Sequence, residues 1–88
     1  MNILIDRSFE RDAKKLPIEI QKKIKGVIKQ LQISESISDI KAEKLAGAQH
    51  AYKIRLGDYR IGFYKEANSL VLSRVLNRKE IYRYFPKK

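Results

Sequence analysis

The chain has 88 residues, with no Cys, one His and 20 Lys+Arg against 10 Asp+Glu, for a net charge of +10. That length makes one domain, 1–88, with a modest core; the missing thiols exclude disulfides and thiolate-metal sites, and His50 alone builds no metal centre, so neither metal nor cofactor is expected. No apolar run approaches a membrane span and no signal-peptide pattern opens the chain, which predicts a cytoplasmic protein with no membrane association.

The charge is uneven: residues 1–44 carry net +3 and residues 45–88 carry net +7. A localised positive field attracts nucleic acid, an anionic surface or an acidic protein partner.

In chain order, the apolar run Asn2-Ile3-Leu4-Ile5 suits a first strand. Ser8 is placed to cap a helix whose apolar face is Phe9, Ala13 and Leu16. Pro17 suits the first turn of a second helix, because its missing N–H is unpaired there anyway. That helix carries the stripe Ile20, Ile24, Val27, Ile28 and Leu31, with Lys22, Lys23, Lys25 and Lys29 on the other side, read as a solvated face in preference to a nucleic-acid patch. Gly26 inside it costs about 1 kcal/mol relative to Ala and suggests close packing against a neighbour. Ser34 to Lys41 reads as a linker or weak helical turn anchored by Ile37 and Ile40; Glu43, Leu45 and Gly47 lead into the next strand.

The stretch Tyr52 to Phe63 is the main hairpin. Tyr52, Ile54 and Leu56 alternate with Lys53 and Arg55, which is a strand with one buried face. Gly57-Asp58 reads as a two-residue turn, and Tyr59, Ile61 and Phe63 resume the inward face with Arg60 and Gly62 outward. The register follows from the turn: Leu56 meets Tyr59, Arg55 meets Arg60, Ile54 meets Ile61 and Lys53 meets Gly62. Two arginines directly opposite each other repel, so a ligand anion is expected to compensate them. Gly62 would leave an open floor beside Lys53. A merely solvated cationic face is the plain alternative to a polyanion site.

Lys65-Glu66-Ala67-Asn68 is a turn, Leu70 to Leu76 a third strand of the meander, and Asn77 to Phe85 a last helical turn stopped by Pro86. The expected fold is α+β, in the order β-α-α-β-β-β plus a short C-terminal helix. An antiparallel meander carries the N-terminal helical hairpin on one face, and Lys53, Arg55 and Arg60 on the other.

No Ser-His-Asp triad can be assembled from one His, and no phosphate loop or dinucleotide fingerprint is present. What remains is a cluster of cations and phenols. RNA cleavage by attack of the 2′-OH on the adjacent phosphate needs a proton acceptor, charge against the phosphorane and a proton for the leaving 5′-oxygen. Cations supply the electrostatic part, and a lysine with a depressed pKa among arginines serves as a base. Arg78 and Tyr82 share a helical face at i, i+4, and Tyr82 or Tyr84 offers a ring for stacking on a base, with core packing the alternative for each tyrosine.

Glu43-Lys44-Leu45, then Tyr52 to Arg60 with its Gly-Asp-Tyr-Arg turn, then Asn77-Arg78-Lys79-Glu80-Ile81-Tyr82, resemble the RelE/ParE superfamily of toxins from type II toxin–antitoxin systems. The resemblance spans nearly the whole chain and points to the RelE-like branch. It implies a ribosome-dependent mRNA endoribonuclease (mRNA interferase) working without a metal, with the ribosome, mRNA and a cognate acidic antitoxin as partners and a hetero-oligomer with that antitoxin. Carried over residue by residue, it assigns Lys53 and Arg55 to the paired basic positions, one as general base and one as phosphate stabiliser. Arg60 is then the transition-state arginine, Arg78 serves the leaving group, and Tyr82 orients or stacks the substrate, with Tyr84 a further RNA contact. Arg55 stands where lysine is common, and arginine is a poor base. YoeB-like members use a glutamate base in a segment like the one holding Glu43, together with a C-terminal histidine that this chain lacks; Glu43 is thus a lower-ranked candidate, with a solvated charge the favoured alternative. The other readings are a ParE-like toxin that inhibits DNA gyrase by binding, and a non-catalytic RNA-binding module.

Overall fold

In the computed structural model, which describes residues 1–86, a five-stranded sheet is covered on one face by two helices. The strands are β1 (Asn2–Ile5), β2 (Ala42–Lys44), β3 (Ala51–Leu56), β4 (Tyr59–Glu66) and β5 (Ser69–Asn77); the helices are α1 (Arg7–Lys14), α2 (Ile18–Ile33) and α3 (Ile81–Tyr84). The sheet order is β1-β5-β4-β3-β2. The four later strands are antiparallel, as a meander requires, and β1 joins the edge of β5 in parallel.

The expected α+β architecture is present, with one more strand than the periodicity indicated. β2 has three residues, two of them charged, and no apolar alternation of its own. It is a strand because the edge of β3 supplies its hydrogen-bonding partners, setting Glu43 opposite Lys53. Ile37–Asp39 forms a single 3-10 turn closed by a reciprocal cap between Ser36 and Asp39, and Ile37 and Ile40 pack against the core.

The main core lies between the helices and the sheet: Phe9, Ile24 and Leu31 meet Ile54, Ile61, Phe63, Leu70, Leu72 and Val75. Ile20, Val27 and Ile28 complete the α2 stripe at the margin of this core. Gly26 is exposed, with nothing near the position its Cβ would take, so it marks no close packing. Ser8 does not cap α1; Asp6 holds the N-cap position, and the Ser8 hydroxyl donates to the Ser73 carbonyl at 2.7 Å.

A bulge sits where that serine crosses. Gly62 pairs with Arg74 and Phe63 with Leu72, leaving Ser73 as the extra residue of β5. The bulge reverses the parity of the strand: Leu70 and Leu72 face the main core before it and Val75 after it, while Leu76 turns to the second face. There a smaller cluster of Ala51, Ile81 and Phe85 seats α3 against the sheet.

Candidate active site

The hairpin register is the expected one, from Leu56 opposite Tyr59 to Lys53 opposite Gly62. Gly57 takes φ +61° and is the turn residue with the left-handed backbone, which suits a type II′ turn. The carbonyls of this turn are all used. Gly57 and Tyr59 accept from Arg60 Nη1, each at 2.8 Å, and Asp58 accepts from the Arg78 backbone N–H at 2.8 Å. The turn thus ties the arginine of β4 and the segment after β5 to one place.

Around it lies an open cleft of about 460 Å³ lined by Glu43, Lys53, Arg55, Arg60, Arg78, Lys79 and Tyr82. Strands β2, β3 and β4, the turn after β5 and α3 each contribute. Five cations against one carboxylate make a strong anion trap, since a concave low-dielectric wall focuses the field. A larger groove of about 700 Å³ lies between α2, the segment around Asp39 and Ile40, and β3, sharing Arg55 with the cleft. Its wall is largely aliphatic, with Val27, Leu31, Ile33, Ile40 and Ile54, and lacks the cation density that phosphate chemistry needs.

Lys53 is the best-connected member. Its ammonium donates to the Tyr82 hydroxyl, lies 5.1 Å from the centroid of the Tyr82 ring, and stands 3.5 Å from Glu43 Oε2. The hydrogen bond to the Tyr82 oxygen, with the charges of Tyr82 and Glu43, outweighs burial and raises its pKa above the ordinary lysine value. The depressed lysine of the sequence reading is therefore not found: Lys53 is held as a cation.

Arg60 also departs from expectation. It is opposite Arg55, as the register requires, yet only 6% exposed, because its guanidinium folds back over the turn instead of projecting beside Arg55. The floor beside Lys53 is closed as well. The Phe85 ring occupies the space above Gly62, and a Cβ there would lie 2.5 Å from Phe85 Cδ2. Arg78 precedes α3 in a turn rather than sharing a helical face with Tyr82, and both still line the cleft.

Tyr84 lies apart from the cleft residues. Its ring packs beneath the Arg74 guanidinium, 4.9 Å from the centroid. Lys79 is the cleft residue that motif matching passed over; the Arg-Lys pair at 78–79 was its signal, and the Asn77 side chain orients it by accepting its backbone N–H at 2.9 Å. Among the described residues no three of His, Cys, Asp and Glu gather as a metal-binding group, and no helix is long and apolar enough to cross a membrane.

Comparison with known proteins is decisive. No family model matches the chain. A curated relative, Toxin RelE3 from Methanocaldococcus jannaschii, is 41% identical over 88 residues, covering 98% of this chain and 100% of the relative. The chain belongs to the RelE family of toxins. The RelE of a RelB–RelE antitoxin–toxin complex from Methanococcus jannaschii superimposes with a TM-score of 0.80 at 39% identity, over 94% of this chain and 99% of that one. The isolated Escherichia coli RelE toxin shares the fold at a TM-score of 0.67 and 20% identity, over 93% and 90% of the two chains. In this RelE-family toxin the cationic cleft lies on the sheet face opposite the paired helices, with α3 as one of its walls.

Proposed function

We propose that this toxin is a ribosome-dependent mRNA endoribonuclease whose cationic cleft holds the scissile phosphate, and that a cognate acidic antitoxin silences it. The observation that carries the reading is the convergence of Lys53, Arg55, Arg60, Arg78 and Lys79 with Tyr82 around one cleft. In the reaction the 2′-oxygen forms a bond to phosphorus and the bond from phosphorus to the 5′-oxygen breaks. One proton leaves the 2′-hydroxyl and one reaches the leaving oxygen. The products are a 2′,3′-cyclic phosphate and a 5′-hydroxyl.

The cations oppose the charge that grows on the phosphorane, in fixed positions that need no reorganisation. Lys53, held protonated, belongs to this group rather than serving as base. Among the described residues Glu43 is the carboxylate on the cleft wall, 3.5 Å from Lys53, and it takes the role of proton acceptor. Arg78 faces the leaving oxygen, and the exposed Tyr82 ring stacks on a neighbouring base. In-line geometry comes from the ribosome, which holds the message.

Purified toxin added to ribosomes stalled on a defined message tests the reading. Cleavage within the codon of the A site, with 2′,3′-cyclic phosphate and 5′-hydroxyl ends, is the expected result. Intact message, together with toxin-dependent trapping of gyrase on cut DNA, would replace it with the gyrase-binding alternative. Tight ribosome binding with no cut would leave an RNA-binding module.

A further inference from the structure

Tyr82 enters the cleft from α3, an element of four residues, too short to hold itself in place. Ile81 and Phe85 seat the helix on the sheet, and a further contact holds its other side. The Tyr82 hydroxyl accepts from the Lys53 ammonium on the cleft side, and Tyr84, two residues on, rests under Arg74 away from the cleft. Arg74 is itself immobilised: its Nε and Nη2 donate to the two carboxylate oxygens of Asp12, at 2.7 and 3.0 Å. Asp12 is buried in α1 and also accepts the Val75 backbone N–H at 3.1 Å. β1 pairs with β5 only as far as Leu72, so the Asp12 carboxylate occupies the edge of β5 where the neighbouring strand has ended. The bulge at Ser73 sets the parity that brings Arg74 there.

We infer that Arg74, locked by Asp12, is a positioning residue that acts through Tyr84 to hold Tyr82 against Lys53. The inference rests on the nuclease reading of the cleft. Neither Asp12, Arg74 nor Tyr84 lines the cleft, so none touches the reacting atoms. Arg74 is a rigid cation, because a bidentate carboxylate fixes the plane of its guanidinium and so the plane against which the ring packs. Helix α3 is thereby held by a cation–ring contact fixed by the body of the fold on one side and by the Lys53–Tyr82 hydrogen bond in the cleft on the other. Releasing the first lets the second drift, and displacement of an orienting group by an ångström is enough to slow chemistry strongly.

Tyr84→Leu is the main test, since the tyrosine is half exposed and its removal leaves the Asp12–Arg74 pair intact. At saturating programmed ribosomes, kcat should fall about ten-fold while KM and the melting curve stay near wild type. Tyr84→Phe keeps the ring and should restore the rate. In a Tyr82→Ala background, Tyr84→Leu should cost nothing more, because the two act as one unit. Independently of cleavage, the Lys53 side-chain resonances, set by the hydrogen bond to the Tyr82 hydroxyl, should move toward their free-lysine positions in Tyr84→Leu. Wild-type rates or unmoved Lys53 resonances in Tyr84→Leu would overturn the inference, as would a further loss in the Tyr82→Ala background. A wild-type toxin that cuts no message would instead remove the nuclease reading, and the resonances would still decide whether Arg74 and Tyr84 place Tyr82.

Discussion

Arg60 donates twice from one nitrogen, to the carbonyl of Gly57 and to that of Tyr59, and so closes the turn of its own hairpin while standing opposite Arg55. This relationship decides the sign of a substitution. Cross-strand repulsion alone would make Arg60→Ala neutral or slightly stabilising. A buried guanidinium that satisfies two turn carbonyls makes the loss unfavourable, by about 1–2 kcal/mol. Urea unfolding of Arg60→Ala should therefore show an earlier midpoint, and cleavage per folded molecule should drop as well, since Arg60 lines the cleft. A midpoint equal to or later than wild type would mean that repulsion from Arg55 dominates after all.

Gly62→Ala should disturb the site without touching a charged group. The new Cβ would come within 2.5–2.8 Å of three ring atoms of Phe85, a buried residue that cannot swing into solvent without uncovering its cluster. Overpacking of this kind costs about 1–3 kcal/mol, and here it pushes on the residue that follows α3. Thermal melts should show the loss, and Phe85→Leu in the same chain should recover part of it. An unchanged melt would show that the ring moves aside freely.

The ionisation of Lys53 sets a pH expectation. Its folded-state pKa is raised, so its contribution to stability is fully present below the unfolded value near 10.4 and is lost as pH rises through the higher folded value. Across pH 6.5–9 the amine stays charged in both states, and the ratio of wild-type to Lys53→Met cleavage should stay flat. A ratio that climbs toward alkaline pH would identify the neutral amine as the base and remove Glu43 from that role.

Arg55 is exposed and its side chain has no hydrogen-bond partner among the described residues, so Arg55→Ala should leave stability within about 0.5 kcal/mol. Ribosome affinity should fall, and the slope of its logarithm against the logarithm of salt should decrease by about one. An unaltered slope would place the phosphates elsewhere on the surface.

Asp12→Ala should be the most destabilising of these changes, by about 2–3 kcal/mol, because it strips both hydrogen bonds from the Arg74 guanidinium and frees the Val75 N–H at the edge of β5. Chemical denaturation checks this directly. A loss below 0.5 kcal/mol would mean that water replaces the carboxylate there at little cost.

The sequence by itself determined the elements whose order is local. Period-two alternation from Tyr52 to Leu56, joined to a two-residue turn, leaves one register, and the observed pairing of Arg55 with Arg60 is that register. The stripe from Ile20 to Leu31 likewise places α2 against the sheet, and the cations of one strand face mark where an anion would lie. Backbone periodicity decides which way a Cβ points, and it is written in neighbouring residues.

Only the tertiary structure decided what happens beyond Cβ. A guanidinium on a flexible stem goes to the best acceptors within reach, and for Arg60 these are carbonyls exposed by the turn, which no alternation pattern encodes. Gly62 reads as an empty floor until Phe85, far along the chain, fills it. Lys53 reads as a lone strand cation until a tyrosine and a glutamate from two other elements pair with it. β2 has no strand signal because its order comes from the edge of β3, and the bulge at Ser73 hides in an aliphatic run that fits either parity. Tyr82 and Tyr84 are alike in sequence, and they serve opposite sides of α3 because Lys53 lies on one side and the Asp12–Arg74 pair on the other.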